Sequence, residues 1–458
     1  MYIQQLYTNC LAQASYYIES EGQAAVIDPL RDPQPYLELA KIRKAHIKFV
    51  FETHFHADFV SGHIDLAREA GATIVYGPGA RPGYDAIVTI DREKFHLGKL
   101  WIEVLHTPGH TVESSCFLLY DEHGKEHSVF TGDTLFIGDV GRPDLMSGNH
   151  TKEELASMLF DSLNKKIKIL PDEVLVYPGH GAGSACGKNI GKETSSTIGE
   201  QKKMNYAMAN LDRPEFIKAV TSDLPAPPAY FFKDAAINIQ GYSSYEEVFA
   251  KANRALDVPS FQKKMAAGAR VLDARDAAHF EKNFIPGSIN IGLNGDFAVW
   301  VGTVIPFDAP LVLVTEPGKE RETISRLLRV GYENILGFLA KGLSGWTDAH
   351  MQTEKVITLK VAEAEEFIAS DSYVLLDVRR PGEAAKHRIK GSVLIPLNEL
   401  PFRAQKLDPS LKYLVYCAGG YRSMIAVSIL KAAGIRTVYN IEGGINKIRA
   451  EKPELVVE

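Results

Sequence analysis

The sequence has few cysteines, no long apolar run and no excess of basic charge. Its four cysteines, Cys10, Cys116, Cys186 and Cys417, are too scattered to form the disulfide framework of a small secreted domain. No apolar run approaches the about 20 residues that a membrane-spanning helix needs. The formal net charge of -6 offers no basic field to nucleic acid or to an anionic membrane surface. Residues 1–16 lack the basic head and apolar middle of a signal peptide, so we expect a cytoplasmic protein without nucleic-acid or membrane partners.

The length and the apolar content are sufficient for several domains. With 458 residues, of which 45% are hydrophobic, the chain is expected to hold about three domains of ordinary size. Motifs and composition place them at residues 1–244, 245–354 and 355–458. Before the first boundary we expect a helix at residues 199–211, then the proline-rich segment 224–228 and irregular structure to about residue 244.

Histidine and aspartate recur just after apolar runs that are typical of strands. Glycine or proline stands beside several of them, and such turns place side chains at the carboxyl edge of a sheet, where sheet enzymes gather their chemistry. The candidate ligands at these places are His54, His56, Asp58, His110, Asp133 and His180. The pattern therefore predicts a metal site in the first domain.

These motifs resemble the metallo-β-lactamase superfamily, whose pattern is His-x-His-x-Asp-His followed by His, Asp and His. The resemblance implies an α/β fold, the αββα sandwich, and in dinuclear members the two metals share the position of Asp133. Here Phe59 stands where the last His of the first motif is expected. A phenyl ring cannot ligate a metal, so one ligand of the second metal is missing.

Among members with a single metal, the chain resembles the persulfide dioxygenase group, which binds one iron through the positions of His54, His110 and Asp133. Residues 141–144, Gly-Arg-Pro-Asp, resemble the Gly-Arg-Thr-Asp segment of that group. The resemblance implies one Fe2+ per chain, with zinc as the alternative. Two imidazoles and one carboxylate form a facial set that leaves positions for O2 and a substrate sulfur. His56, Asp58 and His180 are then expected to orient the ligands or to be remnants of a second metal site.

Two further residues near these motifs are candidates for substrate contact. Arg142 is expected to bind the substrate, because a guanidinium binds carboxylates and phosphates bidentately. An ion pair with Asp144 is the structural alternative. Cys186 follows His180 closely, and its role is open between inert packing and contact with a substrate or a redox partner.

The second half of the chain contains an internal repeat. Residues 271–275, Val-Leu-Asp-Ala-Arg, match residues 375–379, Leu-Leu-Asp-Val-Arg, and the same offset aligns Gly287 with Gly391. Such ungapped matches indicate duplicated domains. Each copy alternates short apolar strands with helical segments, which predicts a parallel α/β sheet.

The second copy has a cysteine in a loop between a predicted strand at 413–416 and a predicted helix at 424–433. Backbone amides of Gly419 and Gly420, the helix N-terminus and Arg422 would all favour the thiolate of Cys417. Together with the Asp-x-Arg strand end, this Cys-x-x-Gly-x-Arg segment resembles a rhodanese (sulfurtransferase) domain. The resemblance implies that Cys417 carries a persulfide sulfur and that Arg422 binds the anionic donor.

The first copy lacks this cysteine. Its corresponding strand, residues 311–314, is followed by Thr315. A hydroxyl cannot store a sulfane sulfur, so we expect residues 245–354 to form an inactive rhodanese-like domain that serves packing or assembly, such as a homo-oligomer interface.

Taken together, the resemblances imply an iron-dependent persulfide dioxygenase coupled to a sulfurtransferase and serving sulfide detoxification. The expected partners are a thiol persulfide (of glutathione, coenzyme A or a similar carrier), O2, sulfite and thiosulfate, with Cys417 making or using thiosulfate. The alternative is a glyoxalase II-like dinuclear zinc thioester hydrolase with an appended sulfurtransferase. A sensing or scaffold protein that keeps remnants of both sites is a third hypothesis.

Overall fold

The computed structural model describes residues 1–145, 150–224, 226–370 and 372–458. These residues form two compact units, Met1–Glu247 with Leu328–Gly331 and Val248–Leu327 with Tyr332–Glu458. Pro225, within the predicted proline-rich segment, lies outside the described residues. Throughout the described ranges, every helix is too short or too polar to cross a bilayer.

Two six-stranded sheets form the centre of the first unit. The first sheet has the strands in chain order, β1 (Tyr2–Thr8), β2 (Gln13–Ser20), β3 (Gln23–Ile27), β4 (His46–Glu52), β5 (Thr73–Tyr76) and β6 (Ile87–Val88). The second has the order β12-β11-β10-β9-β8-β7, made of β7 (Lys94–Leu97), β8 (Leu100–His106), β9 (Ser115–Tyr120), β10 (Glu126–Gly132), β11 (Leu175–Pro178) and β12 (Ser196–Thr197). Strands β3 to β6 run parallel to one another, as do β10 and β11.

The inner faces of the two sheets pack against each other. Alternate side chains of a strand point to the same face, so aromatic residues of both sheets meet in one core. The rings of Phe51 and Phe117 lie with centroids 4.9 Å apart, as do those of Tyr16 and Phe130. Tilted and edge-on aromatic pairs of this kind add to the stabilisation that burial alone provides.

Helices cover both outer faces. Helices α1 (Gln34–Arg43) and α2 (His63–Ala70) pack on the first sheet through residues such as Tyr36 and Leu66. Helices α3 (Lys152–Ser162), α4 (Ile198–Met204) and α5 (Arg213–Thr221) pack on the second sheet. Helices α6 (Phe231–Gln240) and α7 (Tyr245–Ala252) follow. The predicted αββα sandwich is confirmed.

Two predictions for the end of this unit were wrong. The helix expected at residues 199–211 ends at Met204 and is followed by a single 3-10 turn, Tyr206–Met208. It ends there because the Asn205 side chain donates to the carbonyls of Phe136 and Asp139. The same side chain accepts a hydrogen bond from the amide of Ala207. The stretch expected to be irregular contains α6, whose buried residues include Phe231 and Ala235. Neighbouring prolines hid its apolar face from the sequence pattern.

The second unit contains two copies of one parallel α/β fold. The first copy has the sheet order β13-β17-β16-β14-β15, made of β13 (Ala255–Leu256), β14 (Arg270–Asp273), β15 (Ile289–Asn290), β16 (Leu311–Val314) and β17 (Ile335–Leu339). Its helices are α8 (Val258–Ala266), α9 (Ala277–Phe280), α10 (Phe297–Val304), α11 (Glu320–Leu328) and α12 (Gly342–Asp348).

The second copy has the sheet order β18-β23-β22-β19-β21 and a separate pair, β20 with β24. Its strands are β18 (Ile357–Leu359), β19 (Tyr373–Asp377), β20 (Arg388–Ile389), β21 (Val393–Leu394), β22 (Lys412–Tyr416), β23 (Val438–Ile441) and β24 (Val456–Val457). Its helices are α13 (Val361–Ile368), α14 (Pro381–Ala384), α15 (Leu400–Arg403), α16 (Tyr421–Ala432) and α17 (Gly444–Glu451). The strands of both five-stranded sheets are paired in parallel, which confirms the predicted duplication of a parallel α/β fold.

The Asp-x-Arg sequence that marks the repeat forms the same buried ion pair twice. Arg379 binds Asp377 through Nε at 2.9 Å and Nη2 at 2.6 Å, and Arg275 binds Asp273 at the same two distances. Each guanidinium also donates to a carbonyl eight residues on, that of Asn283 at 2.9 Å or of His387 at 2.8 Å. The pair therefore fastens the end of the central strand to the loop that follows it.

We expect Asp273→Ala to destabilise the first copy by about 3–5 kcal/mol, because it leaves the buried Arg275 guanidinium without its counter-charge. Trp300 and Trp346 lie in this copy, so urea unfolding followed by tryptophan fluorescence measures the effect. The exposed Asp308→Ala is the matched control and should change stability by less than about 0.5 kcal/mol. Equal stability of the two variants would refute this role of the ion pair.

Candidate functional site

Three of the predicted ligands converge at the carboxyl edge of the first unit's sheets. His54 follows β4, His110 follows β8 and Asp133 follows β10 directly. All three are buried, and one donor atom from each lies within 4.8 Å of the other two. The imidazole rings of His54 and His110 are 4.9 Å apart and nearly perpendicular. Two imidazoles and one carboxylate therefore face a common point.

Neighbouring groups fix the orientation of both imidazoles. Thr53 Oγ1 donates to Asp28 Oδ2 at 2.8 Å, so its lone pair accepts from His54 Nδ1 at 2.9 Å. His110 Nδ1 donates to the Arg142 carbonyl at 2.8 Å. With Nδ1 engaged as a donor, each ring presents Nε2 as the free lone pair, which is the arrangement that ligating histidines usually have.

Asp133 completes this set with one oxygen that has no other partner. Its Oδ1 accepts from His180 Nδ1 at 2.8 Å, whereas its buried Oδ2 has no hydrogen-bond partner among the described residues. Burial alone would raise the pKa of Asp133, but the neighbouring imidazoles of His180, His110 and His54 outweigh it and hold that pKa well below its usual range. An ionised, unpartnered carboxylate oxygen beside two imidazole nitrogens fits a divalent metal ion.

Asp58, His180 and Cys186 form a second group next to the first. His180 Nε2 lies 2.8 Å from Asp58 Oδ2, and the donor atoms of all three residues are within 4.8 Å of one another. Burial opposes protonation of His180, yet the carboxylates of Asp133 and Asp58 raise its pKa to about 10. Burial raises the pKa of the Cys186 thiol well above its usual value, so the thiol is protonated.

His56 points away from both groups. Its Nε2 lies 3.1 Å from Asp28 Oδ1 and 3.4 Å from Glu52 Oε2, in a third buried cluster. Phe59 is fully buried, with its ring centroid 4.3 Å from that of His56. The six predicted ligands are thus divided among three groups. His54, His110 and Asp133 face a common point. Asp58 and His180 bind each other, and His56 lies with Asp28 and Glu52.

Arg142 lies in the ion pair that was the alternative to substrate binding. Its Nε and Nη2 bind the two oxygens of Asp144 at 2.7 and 2.8 Å, and Nη1 donates to the Ala185 carbonyl at 3.4 Å. The side chain is only 2% exposed. Its visible contribution to the site is the backbone carbonyl that orients His110; contact of its side chain with a substrate stays a prediction.

Cys417 lies directly after β22, and its sulfur faces the N-terminus of α16. The amide of Gly420 donates to Sγ at 3.1 Å, and Ser423 Oγ lies 3.6 Å from the sulfur. Gly420 has φ +110°, a conformation that side chains rarely adopt, which explains the glycine at this place in the loop. A Cβ on Gly419 would meet no atom within 4 Å, so this residue lies at open space beside the sulfur.

Arg422 is paired with a residue that the sequence motifs had not indicated. Both of its terminal nitrogens bind the carboxylate of Glu383, each at 2.7 Å. Arg422 is the main cause that lowers the pKa of Glu383 to about 2. The sequence signal for Glu383 is its place in the short helix after the Asp-x-Arg strand end, but nothing local identifies its partner.

A cavity of about 560 Å3 opens above Cys417, and both copies line it. The first copy contributes Asn294, Gly295, Asp296 and Trp300; the second contributes Arg380, Glu383, Cys417, Gly419, Tyr421 and Arg422. The Tyr421 hydroxyl donates to the Gly292 carbonyl at 2.7 Å and so ties the loop of one copy to the other. The sequence motifs had not indicated that the first copy takes part in this site.

Comparison with known families agrees with this architecture. The model of the metallo-beta-lactamase superfamily matches residues 8–180, and the model of the rhodanese-like domain matches residues 257–349 and 360–451. A metallo-beta-lactamase from Staphylococcus aureus subsp. aureus COL is 32% identical, with TM-score 0.66, over 74% of this chain and 98% of that chain. ETHE1 from Myxococcus xanthus is 31% identical, with TM-score 0.46, over 52% of this chain and 99% of that chain.

A curated relative is similar over about a third of the chain. The chain is 34% identical over 165 residues to the probable hydroxyacylglutathione hydrolase of Schizosaccharomyces pombe, which is 35% of this chain and 60% of that protein. The chain thus spans less than two thirds of the length of this relative.

We expect Thr53→Val to weaken metal binding by about 10- to 100-fold, because it removes the hydroxyl that accepts from His54 Nδ1 while keeping the shape of the side chain. Competition with a chelator of known affinity measures the change. Thr221→Val, which removes a hydroxyl on α5, is the matched control and should bind metal as the wild-type protein does. Unchanged affinity of Thr53→Val would show that this hydroxyl does not position the ligand.

Proposed function

Because the chain belongs to the metallo-beta-lactamase superfamily and carries two rhodanese-like domains after its metal-binding domain, we propose that it is an iron-dependent persulfide dioxygenase coupled to a sulfurtransferase. The proposal depends chiefly on one observation. His54, His110 and Asp133 form a complete three-ligand set, whereas Phe59 takes the place of a ligand to a second metal. The proposed setting is the cytoplasm, with one iron per chain and a role in sulfide detoxification.

The proposed overall reaction converts a thiol persulfide, O2 and water into a thiol, sulfite and two protons. Ferrous iron, when bound by the facial set, supplies open positions for O2 and for the persulfide sulfur. The two imidazoles are held by Thr53 and by the Arg142 carbonyl, and Asp133 is held by His180. The carriers that we propose for the persulfide are low-molecular-weight thiols such as glutathione or coenzyme A.

The second copy would link this reaction to thiosulfate. In the proposed transfer, the Cys417 thiolate attacks the sulfane sulfur of a persulfide and the carrier leaves as its thiolate. Sulfite then attacks the sulfur on Cys417, the S–S bond breaks and thiosulfate leaves with Cys417 as the thiolate. The amide of Gly420 and the start of α16 favour that thiolate. The same steps in reverse would use thiosulfate to load a thiol.

A dinuclear zinc thioester hydrolase is the second candidate. The name of the S. pombe relative supports it, and so does the group of Asp58, His180 and Cys186, whose donor atoms lie close enough together for a second ion. One metal per chain supports the dioxygenase, and two zinc ions per chain support the hydrolase.

We expect protein loaded anaerobically with iron to hold about one iron per chain and to consume O2 when given glutathione persulfide. Asp133→Ala should lose both properties, since it removes a ligand. Asp58→Asn is the matched comparison, because it changes a carboxylate outside the three-ligand set, and it should keep its iron. Elemental analysis and an oxygen electrode measure these quantities. Two zinc ions per chain with thioester hydrolysis and no O2 uptake would contradict the dioxygenase.

We expect Cys417→Ser to consume O2 at the wild-type rate but to release sulfite in place of thiosulfate. The reason is that a hydroxyl cannot carry the sulfane sulfur that sulfite must receive. Quantifying both products after a fixed O2 uptake measures this change. Cys10→Ser removes a thiol that lies outside both sites and should give the wild-type ratio. An unchanged thiosulfate yield in Cys417→Ser would refute the coupling.

A further inference from the structure

The cavity above Cys417 is lined by an equal number of cationic and anionic side chains. Arg380 and Arg422 are the cations, and Glu383 and Asp296 are the anions. A pocket built only to attract a dianion such as thiosulfate would be expected to carry an excess of positive charge. This lining instead suits a molecule that carries both a positive and a negative charge.

Arg422 is already neutralised within the pocket. Its fork of nitrogens binds both oxygens of Glu383, which is a bidentate pair of the stronger kind. Glu383 also accepts from the backbone amide of Arg380 at 3.1 Å. Arg422 and Glu383 therefore hold each other in the loop region beside Cys417, and neither offers a full charge to a ligand.

Arg380 and Asp296 are the two charged residues of the cavity lining that do not take part in the Arg422–Glu383 pair. Both are exposed, and within the described residues neither side chain takes part in a hydrogen bond or an ion pair. They come from different copies, Asp296 from the start of α10 and Arg380 from the residue before α14. Trp300, which is buried, adds an apolar surface to the lining of the cavity.

We propose that the thiol which receives sulfur from Cys417 carries both an ammonium and a carboxylate group, bound by Asp296 and Arg380 respectively. This inference rests on the proposed sulfurtransferase function and names its acceptor class, an amino-acid thiol in zwitterionic form. The thiolate of the acceptor attacks the outer sulfur of the Cys417 persulfide. The S–S bond to Cys417 breaks, Cys417 leaves as its thiolate, and the acceptor leaves as its own persulfide.

The test measures sulfur transfer from thiosulfate to three small thiols at one pH. L-Cysteine has both charged groups, cysteamine lacks the carboxylate and N-acetyl-L-cysteine lacks the ammonium. Asp296→Asn should raise the KM for L-cysteine and cysteamine by about fivefold, as loss of a partly exposed ion pair does, and leave that for N-acetyl-L-cysteine unchanged. Arg380→Gln should raise the KM for L-cysteine and N-acetyl-L-cysteine by a similar factor and leave that for cysteamine unchanged.

Two exposed charges outside the cavity provide matched controls. Asp308→Asn in the first copy and Lys386→Gln in the second should leave all three KM values unchanged. Equal effects of Asp296→Asn on all three thiols, or no effect on any, would overturn the inference while leaving the sulfurtransferase intact. A wild-type protein that makes thiosulfate from glutathione persulfide and sulfite but transfers sulfur to none of the three thiols would overturn the inference alone. A protein that does neither would overturn the proposed sulfurtransferase as well.

Discussion

The placement of one carboxylate, that of Asp133, determines the geometry of the whole metal site. Asp133 follows the end of β10 in the second sheet, whereas His54 follows the end of β4 in the first sheet. The site therefore forms only where the two sheets come together. Close approach of the backbone makes this possible. A Cβ on Gly132 would lie 2.5 Å from Thr53 Oγ1, and a Cβ on Gly179 would lie 2.8 Å from Asp133 Oδ1. The glycines beside the ligands are therefore needed as much as the ligands.

The duplicated unit separates what stabilises the fold from what performs chemistry. Both copies have the Asp-x-Arg pair, and loss of either member would leave the charge of the other buried and unpaired. The cysteine is present in one copy only, and Thr315 follows the equivalent strand of the other. The first copy nevertheless supplies a wall of the Cys417 cavity, so the absence of a nucleophile does not remove it from the site.

The sequence was sufficient for the fold, and it located the three residues that the structure brings together at one point, because both depend on local patterns. Apolar runs followed by Gly, Asp or His identify strands and their ends, and the offset between Asp273 and Asp377 identifies the duplication. Glu383 and Asp28 could not be found in this way, since each acts through a partner distant in the chain. Helix α6 was missed because its local signal is masked by nearby prolines.

The hydrogen bond from Tyr421 to the Gly292 carbonyl has a consequence for any attempt to separate the two copies. It joins the loop that holds Cys417 to the copy in which Thr315 follows the corresponding strand. Gene truncation that removed the silent copy would also remove one side of the neighbouring pocket and a support of its loop. The cavity beside Cys417 is therefore a property of the pair of copies, and neither copy expressed alone would contain all of it.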